Sequence, residues 1–129
     1  GSLERVVALQ NIVPKIDIIS GDDAINYPIL ATGGTGVISV TANLMPDVIS
    51  QIVKLSRDKK FDEAKELNCS IYELNKTLFV ESNPIPIKAI MYLAGLIDSL
   101  EFRLPLTLPS SETMKKLENV LTKYDIKGF

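Results

Sequence analysis

Apolar residues recur at three- and four-residue steps from Leu3 to Val13, through Val6, Val7 and Leu9 or Gln10, and Pro14 stops the run. That spacing predicts a short amphipathic helix. Ile16-Asp-Ile-Ile-Ser20 is brief and β-branched, and Gly21-Asp22-Asp23 follows it with a turn and a helix-capping carboxylate. The pattern is that of strand, turn and helix. The helix is expected from Asp23 to about Ala31, ending at Gly33-Gly34, and Gly36-Val-Ile-Ser-Val-Thr-Ala42 is expected as a second strand, apolar enough to be covered on both faces. Asn43-Leu-Met-Pro46-Asp47 opens another helix, with Pro46 near its first turn and Val48, Ile49, Ile52, Val53 and Ser56 facing inward.

Phe61, Ala64, Leu67, Ile71, Leu74 and Leu78 keep the helical step, which predicts one long helix from residue 61 to about 80. Asn83-Pro-Ile-Pro86 breaks it, because proline lacks an amide hydrogen and biases the preceding residue away from helix. A further helix is expected from about Ile87 to Ile97, then an extended connector over Arg103–Pro109. Ser110 or Ser111 caps a last helix that buries Met114, Leu117, Leu121 and Tyr124. There is no internal repeat or low-complexity tract.

Strand and helix alternate in the first half, the signature of a parallel sheet with right-handed crossovers. Two strands cannot make a stable parallel sheet alone, since both edges expose unpaired amides and both apolar faces need cover. A whole (β/α)8 barrel takes about 250 residues. The pattern therefore fits an α/β piece: the carboxyl-terminal part of a TIM barrel, contributing its last two strands over residues 1–58, followed by a helical subdomain over residues 59–129.

With 129 residues, 46% hydrophobic and 23% charged, the chain has the composition of a packed globular domain or part of one. A net charge of -2 with scattered lysines and arginines leaves no electrostatic footprint for nucleic acid or an anionic membrane. Cys69 is the single cysteine, and neither a secretory signal nor a long apolar run is present, so a cytoplasmic location is expected. With no histidine and one cysteine, no metal site and no cofactor are expected.

Three stretches carry a resemblance: Ile18-Ile-Ser-Gly21-Asp22-Asp23, Gly33-Gly34-Thr-Gly36-Val-Ile38-Ser-Val40-Thr-Ala-Asn43, and Glu81-Ser-Asn83-Pro84-Ile85-Pro86-Ile-Lys88. With the closing Phe102-Arg103-Leu-Pro105-Leu, their order and spacing resemble the dihydrodipicolinate synthase family of Schiff-base-forming barrel lyases. The likeness covers essentially the whole chain. Lyases of the N-acetylneuraminate type share the barrel and its lysine, and the Asn-Pro-Ile-Pro segment favours the synthases. The resemblance places residues 17–21 on the seventh strand, residues 36–42 on the eighth, and the imine-forming lysine, the tyrosine and the proton relay upstream of residue 1. No catalytic residue is then expected in this chain. Pyruvate and aspartate semialdehyde are the implied substrates of the complete enzyme, and a missing amino-terminal half and a homo-oligomer, commonly a homotetramer, are the implied partners. A non-catalytic half-barrel that pairs with another chain is the rival reading.

The same resemblance assigns substrate contacts to Gly21, Ile38 and Val40. Gly21 falls at the carboxyl end of a strand, where barrel active sites are built and where a glycine lets backbone approach a ligand. Ile38 is assigned a backbone carbonyl facing the keto acid, with its side chain in ordinary core. Val40, two residues on and so on the same strand face, is assigned a contact with the pyruvate methyl, against an equal reading as barrel core. Asp22 and Asp23 read as caps rather than acid catalysts. Gly33-Gly34-Thr35-Gly36 precedes a strand instead of opening a helix, so a helix C-cap fits better than a phosphate loop. Lys88 reads as a surface or packing lysine, and Cys69 as a small buried residue.

Overall fold

Ser2 opens α1 (Leu3–Ile12), its side-chain oxygen accepting from the Arg5 amide at 3.3 Å. That satisfies one of the amides a helix leaves unpaired at its start. In this computed structural model residues 2–126 are described, and the chain divides into two units, residues 1–72 and 73–129. Val6 is the buried residue of α1 and clusters with Ile18 and Ile29, with Ile25 packed alongside. Leu3, Val7, Leu9 and Ile12 remain exposed, so the covered stripe of α1 is narrower than its periodicity suggests.

In the first unit, β1 (Ile19–Ser20) pairs in parallel with β2 (Gly36–Val37), Ile19 opposite Gly36 and Ser20 opposite Val37. The Thr35 amide donates to the Ile18 carbonyl at 2.8 Å and the Ile38 amide to the Ser20 carbonyl at 2.7 Å, so the ladder reaches past both strands. Between them lie a 3₁₀ turn at Asp23–Ile25 and α2 (Asn26–Ala31). Asp22 caps the 3₁₀ turn by accepting from the Ala24 amide at 3.1 Å. α2 closes as expected at the glycines: Gly33, with φ of 101°, donates to Leu30 and Gly34 to Ile29, at 3.1 and 2.8 Å. This is the paired 5→2 and 6→1 arrangement of a Schellman motif.

The second strand is shorter than the expected 36–42. After Val37 the chain turns: Val40 has helical φ and ψ of -67° and -43°, and Thr41–Asn43 form a 3₁₀ turn. α3 (Pro46–Arg57) carries Pro46 in its first turn and buries Ile49, Ile52 and Ser56, with Val48 and Val53 half-buried. α4 (Phe61–Ser70) packs on α3 and α2 and buries Ala64, so the boundary expected after residue 58 runs between helices that pack together.

The expected single helix over 61–80 is interrupted. α4 ends at Ser70, Ile71 leaves helical geometry, and α5 (Tyr72–Thr77) restarts. Ser70 turns its hydroxyl onto the Leu67 carbonyl at 2.7 Å, a local bond that competes with the helix ladder. Cys69, expected to be buried, is exposed. It lies well around the helix from the stripe marked by Ala64 and Ile71.

In the second unit α6 (Ile85–Leu93) starts at the prolines, Pro84 as N-cap and Pro86 in the first turn, where a missing amide costs no hydrogen bond. It buries Ile85, Ile87, Ala89 and Ile90 and packs against α7 (Ser111–Lys123). α7 buries Thr113, Leu117 and Val120, whereas Met114, Leu121 and Tyr124 are half-buried at the edge of that stripe. Ser110 caps α7 through the Thr113 amide at 3.2 Å. Glu81 secures the cap, Oε1 accepting from the Ser110 amide at 3.0 Å and its hydroxyl at 2.9 Å. Lys123 pairs with Glu73. Among the described residues no helix is long and apolar enough to cross a membrane.

Hydrogen bonds from the Thr113 hydroxyl and from the amide and hydroxyl of Ser110 hold the Glu81 carboxyl below the usual carboxylate range. A depressed folded pKa stabilises the fold above the unfolded pKa and is lost as pH falls through the folded value. Glu81→Gln is therefore expected to lower the urea midpoint at neutral pH, and the gap from the parent protein should narrow as pH falls through the lowered pKa of Glu81. A gap that persists unchanged in acid would count against an ionised Glu81 at this cap.

Candidate functional site

Continuing the register of β1 and β2 by one residue sets Gly21 beside Ile38, where the carboxyl ends of two parallel strands meet. In open and closed α/β sheets alike, this is the end where ligands bind. The two residues offer backbone more than side chain. Gly21 is exposed, and a Cβ built on it would meet nothing within 4 Å, so packing among the described residues does not demand a glycine there. Gly34 differs, since its Cβ would stand 2.8 Å from the Ile29 carbonyl oxygen. One glycine is required by the helix end; the other leaves room at the strand end.

Ile38 is 74% exposed among the described residues, so no packing within this chain covers the side chain expected to lie in barrel core. Its amide is held by the Ser20 carbonyl, so the residue is fixed through its backbone. Val40 is corrected more sharply. Its helical backbone takes it out of the strand, so the two-residue alternation that would align it with Ile38 does not apply, and the half-buried side chain sits at the entrance of the 3₁₀ turn.

Asp23 is the feature that sequence reasoning undervalued. Its side chain is not simply a cap for the helix it opens. At 2% exposure, Oδ2 accepts from the amides of Val40 at 2.8 Å and Thr41 at 3.2 Å, and Oδ1 accepts from Asn26 Nδ2 at 2.8 Å. It thereby caps the 3₁₀ turn that follows β2 from the loop that follows β1. Asn26 Oδ1 is buried and lacks a hydrogen-bond partner among the described residues. No sequence signal links Asp23 to amides seventeen and eighteen residues away, because backbone donors carry no side-chain identity.

On the other side of β2 lies a groove of about 630 Å³ between that strand and α3, lined by Gly36, Val37, Ser39, Ile49, Val53 and Arg57 among others. Its rim carries the Lys54–Asp58 pair at 2.6 Å and a bond from Arg57 Nη2 to the Thr35 carbonyl at 3.0 Å. Lys88 is elsewhere, in α6, its ammonium 5.0 Å from the centre of the Phe102 ring and bonded to the Glu101 carbonyl. That is a packing arrangement, as expected from the sequence. Among the described residues no group of three or more His, Cys, Asp or Glu side chains converges as a metal site would require.

The family model of the dihydrodipicolinate synthetase family matches residues 1–124. The 4-hydroxy-tetrahydrodipicolinate synthase of Campylobacter concisus is 60% identical over 129 residues, which are all of this chain and 43% of that protein. Dihydrodipicolinate synthase of Aquifex aeolicus superposes with a TM-score of 0.93 at 36% identity, over 97% of this chain and 43% of that one. The chloride-inhibited synthase of Acinetobacter baumannii, complexed with pyruvate, gives 0.90 at 37% identity, over 97% and 43%. The chain thus spans less than half the length of the relatives it matches.

The two glycines should respond differently to a methyl group. Gly34→Ala is expected to destabilise by about 1–3 kcal/mol, the usual cost of overpacking against backbone, and Gly21→Ala to stay within about 0.5 kcal/mol. Chemical denaturation of the two variants in parallel checks this, and equal losses would contradict the difference in their surroundings.

Proposed function

The chain belongs to the dihydrodipicolinate synthetase family, and from that premise we propose that it forms the carboxyl-terminal part of a barrel lyase that condenses pyruvate with L-aspartate 4-semialdehyde to 4-hydroxy-tetrahydrodipicolinate, in lysine and diaminopimelate biosynthesis. The observation that carries the proposal is the parallel ladder that sets Gly21 and Ile38 side by side at its carboxyl end. In this reading β1 and β2 are the seventh and eighth barrel strands. The groove between β2 and α3 is then where a further strand and helix of the barrel pack.

The chemistry begins when a lysine amine attacks the ketone of pyruvate and water leaves, giving an imine. Protonated, its nitrogen draws electrons, the methyl group loses a proton, and the resulting enamine carbon attacks the aldehyde. The lysine is proposed to lie outside these residues, since Lys88 is engaged with Phe102 and Glu101. This chain supplies backbone to the keto acid: the Ile38 carbonyl as acceptor, and at Gly21 the space for close approach. Val40 enters as a neighbour of the turn rather than as a strand-face contact.

The test replaces the matching 129 residues of the Campylobacter concisus synthase with this chain. Borohydride reduction with labelled pyruvate should attach label to one lysine outside the grafted segment, and turnover with aspartate semialdehyde should follow. Label on Lys88, or turnover with N-acetylneuraminate instead, would sink the proposal. Within that protein, Ile38→Val keeps the carbonyl and should hold pyruvate efficiency to within about threefold, whereas Ile38→Pro removes the amide that bonds Ser20 and should abolish turnover. A hundredfold loss in Ile38→Val would assign recognition to the side chain.

A further inference from the structure

We propose that Asp23 is a positioning residue of this site: by clamping the amides of Val40 and Thr41, its buried carboxylate sets the direction of the Ile38 carbonyl and hence the affinity for the keto acid. The inference rests on the function proposed above and adds to it a residue that acts through another.

The chain has to pass from strand at Val37 to helical backbone at Val40 within three residues. Upstream, the Ile38 amide is fixed by the Ser20 carbonyl at 2.7 Å. Downstream, the amides of Val40 and Thr41 open a 3₁₀ turn and have no partner within it. Asp23 Oδ2 takes both, at 2.8 and 3.2 Å. An ionised acceptor makes shorter and stronger bonds to amides than a neutral one, and a carboxylate at 2% exposure holds its place only while such donors surround it. Ile38 is therefore held from both sides through backbone, while its side chain, 74% exposed, is left uncovered by the described residues. The Ser39 hydroxyl, which accepts from the Ala42 amide at 3.0 Å, tightens the same turn. Through Asp23 the first strand–helix unit thus reaches the backbone that follows the second strand.

Asn26 supplies the means to separate this role from direct catalysis. Its Nδ2 donates to Asp23 Oδ1 while its own Oδ1 lacks a partner among the described residues. In Asp23→Asn, a flip of the Asn26 amide would present that oxygen to the new NH2 group, and the remaining side-chain oxygen could still accept from the two backbone amides. The clamp would persist in neutral, weaker form. In Asp23→Ala it would be gone.

Both variants are made in the full-length Campylobacter concisus frame and assayed below their melting temperatures. Asp23→Asn should raise KM for pyruvate by about three- to tenfold with kcat within about threefold, and Asp23→Ala by more, while KM for aspartate semialdehyde moves less than about twofold in either. A general loss of structure would not single out one substrate. A pyruvate KM unchanged in Asp23→Asn would overturn the proposal even if Asp23→Ala failed to fold. A kcat loss of about a thousandfold in Asp23→Asn would overturn it too, by showing that the charge itself takes part in the chemistry. If the unsubstituted protein traps no pyruvate, the proposed function fails and this inference with it; if it traps pyruvate and the variants behave as the parent does, this inference fails alone.

Discussion

A buried carboxylate joins the two strand–helix units of the first half. Asp23 sits in the loop after β1 and accepts from amides in the loop after β2, so the two loops are tied across the carboxyl end of the sheet. The sheet itself is minimal, two residues in each strand with one ladder bond beyond each end. So short a ladder does not determine where the chain goes once it leaves the strands. An acceptor at 2% exposure does, because an anion there is tolerable only when the donors around it stay in place. The constraint runs both ways: the amides fix the carboxylate, and the carboxylate fixes the turn.

Elements whose boundaries are written in local chemistry were legible in the sequence. α1, α3 and α7 carry an apolar step of three or four, with Pro46 and Ser110 marking the starts of the latter two, and each begins close to where its pattern places it. The glycine pair after α2 likewise marked its end, because only the left-handed conformation of Gly33 lets two further amides reach back into the helix. Legibility stopped where the deciding partner is distant or is backbone. The run from Gly36 to Ala42 contains no proline or interior glycine to end a strand, and its β-branched residues read on as one. It ends at Val37 because Asp23, far back in the chain, recruits the next amides into a turn. The break between α4 and α5 is similar in kind, since the apolar step continues through Ile71 to Leu74 and Leu78 while the backbone does not.

The candidate site was legible in a corresponding way. The register sets Gly21 and Ile38 together, and the Ile38 backbone is held while its side chain is left uncovered by the described residues. For Val40 the strand-face argument does not hold, because the backbone is helical there. Cys69 failed by the phase of its own helix, which the positions of Ala64 and Ile71 already fixed.

A site that contributes backbone places an unusual demand on sequence. Where a side chain does the chemistry, its identity is the constraint; where a carbonyl does, any residue with the right φ and ψ would serve, and the constraint passes to whatever holds those angles. Ile38 is exposed and replaceable on this argument, and Gly21 is open to a Cβ as far as the described residues go. Asp23 is neither. Its two oxygens each have a required donor set, and replacing it with an apolar residue would strand the Val40 and Thr41 amides and leave Asn26 with both of its polar atoms unmatched. A residue tightly constrained in this part of the fold is thus one that the proposed reaction need never touch.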